Sequence, residues 1–419
     1  MLDAQRLFRR MVAVEGRVVA VLKKELLELI YEAAHIQRWN DHLRFKGFTE
    51  LDKQSHKMII AYMIARFEES DRGGRVDWKC LIEGGMFEFL HRIILTDIKP
   101  PVFHKLMMEK GEKLNQWVLE QIEGQVKDIK GDFLNNFERY LFEPDFCPLE
   151  KKILRAAHYL ATNWEFKIIY NLNKSIYGVE ETRSQIENEL EEHYELAGVQ
   201  KLGLGQKTYK FLDLVGQLRF QQRWAHSPRV PETSVLGHML VVAMLAYFCS
   251  VELGACEKRI CHNYYTGLFH DLPEVLTRDI ISPIKRSIEG LEEIIKEIEQ
   301  RQVEERILPL LPSSWHREIK YYITDEFKNK VFKDGEIFFV EADDISAHYN
   351  QNAYEPVDGE VIKGCDDLAA YIEIFLSISH GITSHHLVDG QESLYTRYRD
   401  KEIGGIDFGR LFEFFHVET

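Results

Sequence analysis

The sequence predicts an all-α protein, and three observations predict it. Apolar residues recur at i, i+3, i+4 and i+7, strand-like alternation is scarce, and the prolines mostly fall between the periodic segments. Leu26, Leu29, Ile30 and Ala33 form the first apolar stripe, and "KQSHKMIIAYMIARF" (53–67) forms an apolar helix led by a histidine. The charged stretch 180–195 reads as a helix with one solvated face. "GVQKLGLGQK" (198–207) carries three glycines in ten residues and is the best linker candidate. The longest apolar run, Met239 to Cys249, is too short to cross a bilayer and reads as a buried helix. "CHNYYTGLF" (261–269) reads as another, which Pro273 should end because proline lacks an N–H and biases Leu272 away from helical angles. Leu291, Ile294, Ile295 and Ile298 repeat the helical stripe, whereas "EIFFV" (336–340) is too short to assign.

At 419 residues the chain exceeds one typical core and predicts two domains of roughly 200 residues each. Its net charge of −15 disfavours broad attraction to nucleic acid or anionic membranes, so neither is expected as a partner. An anionic substrate would need a local cation, a metal or a placed arginine. The six cysteines form no C-x-x-C pair and read as reduced structural thiols of a cytoplasmic protein. The opening stretch "MLDAQRLFRRMVAVEGR" has no uninterrupted apolar core of signal-peptide length.

Three passages recur in order. "AAHIQRWNDH" (33–42) matches "LRFQQRWAHS" (218–227), and 53–67 matches "SVLGHMLVVAMLAYF" (234–248). "LTDIKPPV" (95–102) matches "LTRDIISPI" (276–284) if one residue is skipped. Their common order and spacing predict two copies of one helical unit, 1–197 and 205–419.

The second copy carries the chemistry. His270 and Asp271 stand at a predicted helix end, where adjacent side chains can converge on one point. Imidazole with carboxylate suits a divalent transition metal such as Mn, Co, Fe, Ni or Zn. A lone His-Asp pair also serves as core histidine and helix cap, so further ligands are needed. His238, heading an apolar helix, reads either as a third ligand or as a satisfied core histidine. "VEADDISAHY" (340–349) offers Asp343 or Asp344 as a fourth; on a helix these point about 100° apart, so only one would face the metal.

The order His238, His270-Asp271, then a late aspartate resembles the all-helical HD-domain superfamily of metal-dependent phosphohydrolases. The run Arg223-Trp224, His238, then His270-Asp271 with Glu274-Val275-Leu276-Thr277, Asp279, Pro283 and Lys285, then Ala342-Asp343, is more similar still to the bacterial 5'-deoxynucleotidases of that superfamily. The resemblance is strong over 210–380 and faint in the first half. It implies metal binding by His238, His270, Asp271 and Asp343, with Glu274 as general acid or base. It implies a phosphate contact for Arg223, whose planar fork suits two oxygens. Trp224 would stand against the sugar and disfavour a 2'-hydroxyl, Asp279 would orient sugar or water, and Thr277 and Lys285 are weaker substrate candidates. Gly237 departs from the family's frequent Glu before the first ligand, which removes a carboxylate that could orient His238.

In the first copy Phe89-Leu90 stand at the His-Asp position, Ile93 at that of Glu274, His56 at that of His238, and His158 where an aspartate is expected. These histidines read as structural, so one copy has lost its catalytic set. The resemblance thus implies hydrolysis of a nucleotide-like phosphomonoester, above all a deoxyribonucleoside 5'-monophosphate, with one metal per chain. The rival readings are an HD phosphohydrolase for another phosphoester and a non-catalytic nucleotide sensor. It also implies that the silent copy acts as an internal pseudo-subunit, in a monomer or a homo-oligomer.

Overall fold

The computed structural model describes residues 22–44, 46–96, 98–278, 288 and 290–416. In the first half these form α1 (Lys24–Glu32), α2 (Glu50–Arg72), α3 (Trp78–Leu95), α4 (Pro100–Val126), α5 (Phe133–Phe142), α6 (Pro148–Asn173) and α7 (Val179–Glu191). Two short helices, α8 (Ala197–Gly203) and α9 (Lys207–Gly216), lead on to α10 (Val235–Glu252), α11 (Glu257–Phe269), α12 (Glu274–Thr277), α13 (Leu291–Gln302) and α14 (His316–Ile323). The chain closes with α15 (Gly359–Ser379), α16 (His385–Tyr398) and α17 (Phe408–Glu413). The class is all-α. "EIFF" proves to be the outer strand of a small antiparallel hairpin, with Lys330 opposite Phe339 and Lys333 opposite Glu336.

The charged segment folds as α7, mostly exposed, as its composition requires. The Met239–Cys249 run lies inside α10, the one helix among the described residues long and apolar enough to cross a membrane. Every residue of it is buried in the protein, the expected fate of a helix apolar on all sides. Helix α10 packs on α2, α11 and α15, while α2 also packs on α6 and α8, so the two histidine-bearing helices share one core. Aromatic rings stitch it across the halves: Tyr62 of α2 meets Tyr265 at 5.0 Å and Phe269 at 5.3 Å between ring centroids, both on α11.

Two expectations need correction. The glycine-rich stretch is no loose linker: Ala197–Gly203 is helical, with Ala197, Gly198, Val199 and Leu202 buried. Gly198 is needed there for close approach, because a Cβ would sit 2.6 Å from Ile64 Cα of α2. The cysteines are also not all reduced, since Cys80 and Cys147 are joined by a disulfide with Cα atoms 6.4 Å apart. Their separation of 67 residues hid the pairing from a search for local motifs.

The entries to α2 and α10 are built alike. Thr49 caps α2 by accepting from Asp52 N–H, and Ser234 caps α10 by accepting from Gly237 N–H. Ahead of each cap the backbone forms one isolated antiparallel bridge, Gln37 with Thr49 and Gln222 with Ser234. Trp39 and Trp224 follow those glutamines by two residues, with φ of 59° and 55°. A bulky residue in the left-handed region is an outlier that the surroundings must hold in place.

Candidate active site

Three elements position the site. Helix α10 presents His238 four residues after its Ser234 cap, wholly buried. Helix α11 ends at Phe269 with His270 as its cap residue, as Pro273 predicts, which leaves His270 and Asp271 on the turn leading to α12. Helix α15 supplies Asp366. Ligand atoms of His238, His270 and Asp366 all lie within 4.8 Å of one another. His238 Nε2 is 2.9 Å from Asp366 Oδ1, and Asp271 Oδ2 is 3.2 Å from His270 Nε2.

The donor set fits a divalent metal. His270 Nδ1–H donates to the Gly267 carbonyl at 2.8 Å, which orients the ring and leaves Nε2 facing Asp271. His270 Nε2 is buried without a directed hydrogen bond, a costly state that a ligated ion would relieve. Burial opposes the charged form of His270, yet the Asp271 carboxylate beside it raises its pKa to about 9. Burial and the Arg223 charge lower the pKa of His238. Asp366 is held well below the usual carboxylate range against the cost of burial, first by Lys363 and then by His238. Asp271 is likewise pulled down to about 2, against burial, by His270.

The predicted late aspartate is displaced. Asp343 and Asp344 lie exposed on a short helical turn, Ala342–Asp344, and neither belongs to the cluster. The carboxylate that stands with His238 and His270 is Asp366, missed because its neighbour Asp367 and the "ADD" triplet earlier in the chain look alike as composition. A signal was present: Ile362, Cys365, Leu368, Ala369 and Ile372 give α15 a buried stripe, and Asp366 borders it. Residues 342–349 have no comparable stripe, and only Ile345 is buried among them.

Glu373, two turns beyond Asp366 on α15, was also unforeseen. Its Oε2 accepts from Trp224 Nε1 at 2.9 Å and Arg223 Nε at 3.4 Å, and its Oε1 from Thr233 Oγ1 at 2.7 Å. Arg229, fully buried, stands 3.5 Å away and also donates to the Arg223 carbonyl. Burial works against this carboxylate, but Arg229 and Arg223 bring its pKa down to about 2. The clamp explains the left-handed Trp224: the indole must turn inward to reach the shared oxygen. Arg223 Nη1 then lies 3.8 Å from Asp271 Oδ2, at the edge of the cluster. Glu274 opens α12 and is buried, while Thr277 donates to Glu299 of α13 at 3.4 Å. Asp279, Pro283 and Lys285 lie outside the described residues.

Gly237 has a tertiary explanation. A Cβ there would lie 3.1 Å from Asp52 Oδ1 and from Leu51 Cγ, both on α2 of the first half. Asp52 also accepts hydrogen bonds from the Thr49 and Ser234 hydroxyls, so it ties the two caps together. The space for a side chain before His238 is taken by the other half of the same chain. Gly237→Glu is therefore expected to cost about 1–3 kcal/mol through overpacking, with a second carboxylate forced beside Asp52. Thermal unfolding should show the loss, and an unchanged Tm would contradict this packing.

In the first half, His56 is buried, donating from Nε2 to the Leu212 carbonyl at 3.0 Å and accepting at Nδ1 from Arg219 at 3.2 Å. Burial, with Arg219, drives its pKa down to about 3. It is a structural histidine. Glu165 of α6 takes the part of Glu373, accepting from Arg38 Nε at 2.7 Å and Trp39 Nε1 at 2.9 Å.

Residues 215–395 match the HD domain family. The chain is 25% identical over 127 residues to a 5'-deoxynucleotidase of Vibrio atlanticus, covering 30% of this chain and 65% of that protein. It is 23% identical over 202 residues to a 5'-deoxynucleotidase of Vibrio cholerae, covering 47% and 87%, and 27% identical over 128 residues to one of Pasteurella multocida, covering 28% and 61%. The chain thus spans just under two thirds of the length of two of these relatives.

Proposed function

We propose, for a chain in which residues 215–395 form an HD domain, a metal-dependent phosphomonoesterase acting on a deoxyribonucleoside 5'-monophosphate or a close relative. The observation that carries this reading is the convergence of His238, His270 and Asp366, with Asp271 between His270 and Arg223. His238, His270, Asp271 and Asp366 would hold the metal, which when bound supplies Lewis acidity toward a phosphoryl oxygen and makes water a better nucleophile at neutral pH. Arg223, its Nε tethered by Glu373, would hold phosphate oxygens with its guanidinium at the edge of the cluster. Glu274 would take the proton from the attacking water and return one to the leaving 5'-oxygen. Trp224, pinned through its indole nitrogen, would present a fixed ring edge to the sugar.

The first half fits a degenerate copy of the same unit, 1–197 beside 205–419, that packs as an internal pseudo-subunit. The matched caps, bridges, left-handed tryptophans and Arg–Trp–Glu clamps support that reading.

A panel of deoxy- and ribonucleoside 5'-monophosphates and other phosphoesters, assayed with Mn, Co, Fe, Ni or Zn, tests the function. Deoxyribonucleotides are expected to be cleaved faster, and Trp224→Ala to narrow the difference. Glu274→Ala should keep its metal and lose roughly 10²–10⁴-fold in rate, the usual scale for an acid–base group. Equal rates on both sugars in the parent would move the assignment to another phosphoester, and no release from any substrate would remove it.

A further inference from the structure

The silent half keeps the frame of the site but changes its charge. Ten residues separate Trp39 from the Thr49 cap and Trp224 from the Ser234 cap, so Lys53, not His56, stands where His238 stands. Seven residues separate His158 from Glu165, as they separate Asp366 from Glu373, so His158 answers to Asp366. Glu88, not Phe89, stands where His270 stands: it follows Gly85 by three residues and precedes the left-handed Thr96 (φ 58°) by eight, as His270 does Gly267 and the left-handed Arg278 (φ 65°). The three ligand positions thus hold Lys53, Glu88 and His158, and contacts bind them into one cluster. Lys53 Nζ donates to His158 Nδ1 at 2.6 Å and lies 3.6 Å from Glu50. Lys57 pairs with Glu88, and Arg38 spans Glu50 at 3.0 Å and Glu165 at 2.7 Å. Arg92 stands 3.9 Å from Glu50 and Arg219 is 2.7 Å from Glu165, with the buried Asp52 carboxylate acting on Arg219 from further off.

At the centre of this network Lys53 is 2% exposed, an ammonium withdrawn from water and compensated by its neighbours. The network's rim is reachable, because Arg38, Glu88, Arg92 and His158 are only partly buried. The costly left-handed Trp39 and its clamp are retained although no metal ligand set remains.

We infer that this cluster of the first half is a second, non-hydrolytic binding site for a phosphate monoester dianion, in which the Lys53 ammonium occupies the position that corresponds to the metal's and Arg38 supplies the guanidinium fork. The inference borrows from the proposed function only the reading of Arg-Trp as a phosphate holder, and does not require that the other half hydrolyse anything. Supporting chemistry comes from Lys53 itself: burial brings its pKa down to about 7, with Glu50 and Glu165 opposing that fall and Arg38 and Lys57 adding to it. His158, pushed well below its ordinary range by burial and by Lys53, Lys57, Arg38 and Arg92, stays a neutral acceptor. A bound dianion would favour the charged ammonium, so binding near pH 7.5 should take up protons.

The test is calorimetric titration of the full chain carrying Asp271→Ala, treated with chelator so that the metal site is disabled. The probes are inorganic phosphate and 2'-deoxyadenosine 5'-monophosphate, each in two buffers of different ionisation enthalpy. Saturable binding with proton uptake is expected, weakened about tenfold or more by Lys53→Met, the scale of a lost charge-assisted hydrogen bond. His158→Asp, which restores the carboxylate found at the matching position, should weaken it as much by neutralising Lys53 in place, and decides the matter if Lys53→Met does not fold. Tighter binding of the nucleotide than of phosphate assigns the seat to a monoester; equal affinity assigns it to free phosphate. Absence of saturable binding in the parent, or unchanged affinity in the variants, overturns the inference.

Discussion

Asp366→Ala is expected to strip the metal and abolish hydrolysis, while Asp343→Ala leaves both near the parent level. Asp366 bridges to His238 at 2.9 Å from the one carboxylate that α15 directs into the cluster, whereas Asp343 is exposed. The loss in kcat/KM should exceed about 10²-fold, since outer-shell partners of a metal site alone are worth 10–100-fold. Elemental analysis decides it: one metal per chain retained in Asp366→Ala would refute the ligand set. The same site predicts a pH dependence. Without metal, His270 titrates at about 9 because Asp271 stabilises its charged form against the cost of burial. Below that pH a proton occupies the imidazole and must leave for a metal to bind. Apparent metal affinity should therefore rise with pH and level off near 9, falling about tenfold per unit beneath it if one proton is released. Competition with a chelator of known affinity between pH 6 and 9.5 would measure the slope, and a flat profile would exclude a protonated His270.

Glu165→Ala is expected to destabilise the whole chain by about 3–5 kcal/mol, the cost of stranding buried charges when one partner is removed. Glu165 and Arg219 are both wholly buried, 2.7 Å apart, and join α6 of the first half to the helical turn Gln217–Phe220 of the second. The same carboxylate serves Arg38 and the Trp39 indole, so one substitution leaves three donors without it. Glu165→Gln keeps an acceptor and should cost less. Chemical denaturation would show the order, and an alanine variant as stable as the parent would mean that water replaces the carboxylate.

The sequence by itself determined the all-α class, since a 3.6-residue apolar period fits nothing else, and the place of the His-Asp pair, since Pro273 must end α11. It also carried the HD resemblance, because His238, His270-Asp271 and their flanks lie in local, ordered motifs. What only the tertiary structure decided were facts of long range. Asp343 and Asp366 are equivalent as residue types, and the difference is that α15 packs on α10 while 342–344 turns outward. Glu373 sits 150 residues from Arg223, so no local pattern ties them. Gly237 read as a missing carboxylate, yet Asp52 and Leu51 of the first half fill that space. Lys53 displaced His56 at the position matching His238 because register follows from the helix cap, and His56 lies three residues, almost a full turn, further from its cap than His238 does. Packing partners and registers arise from where helices meet, and a linear pattern specifies which faces are apolar without specifying which faces touch.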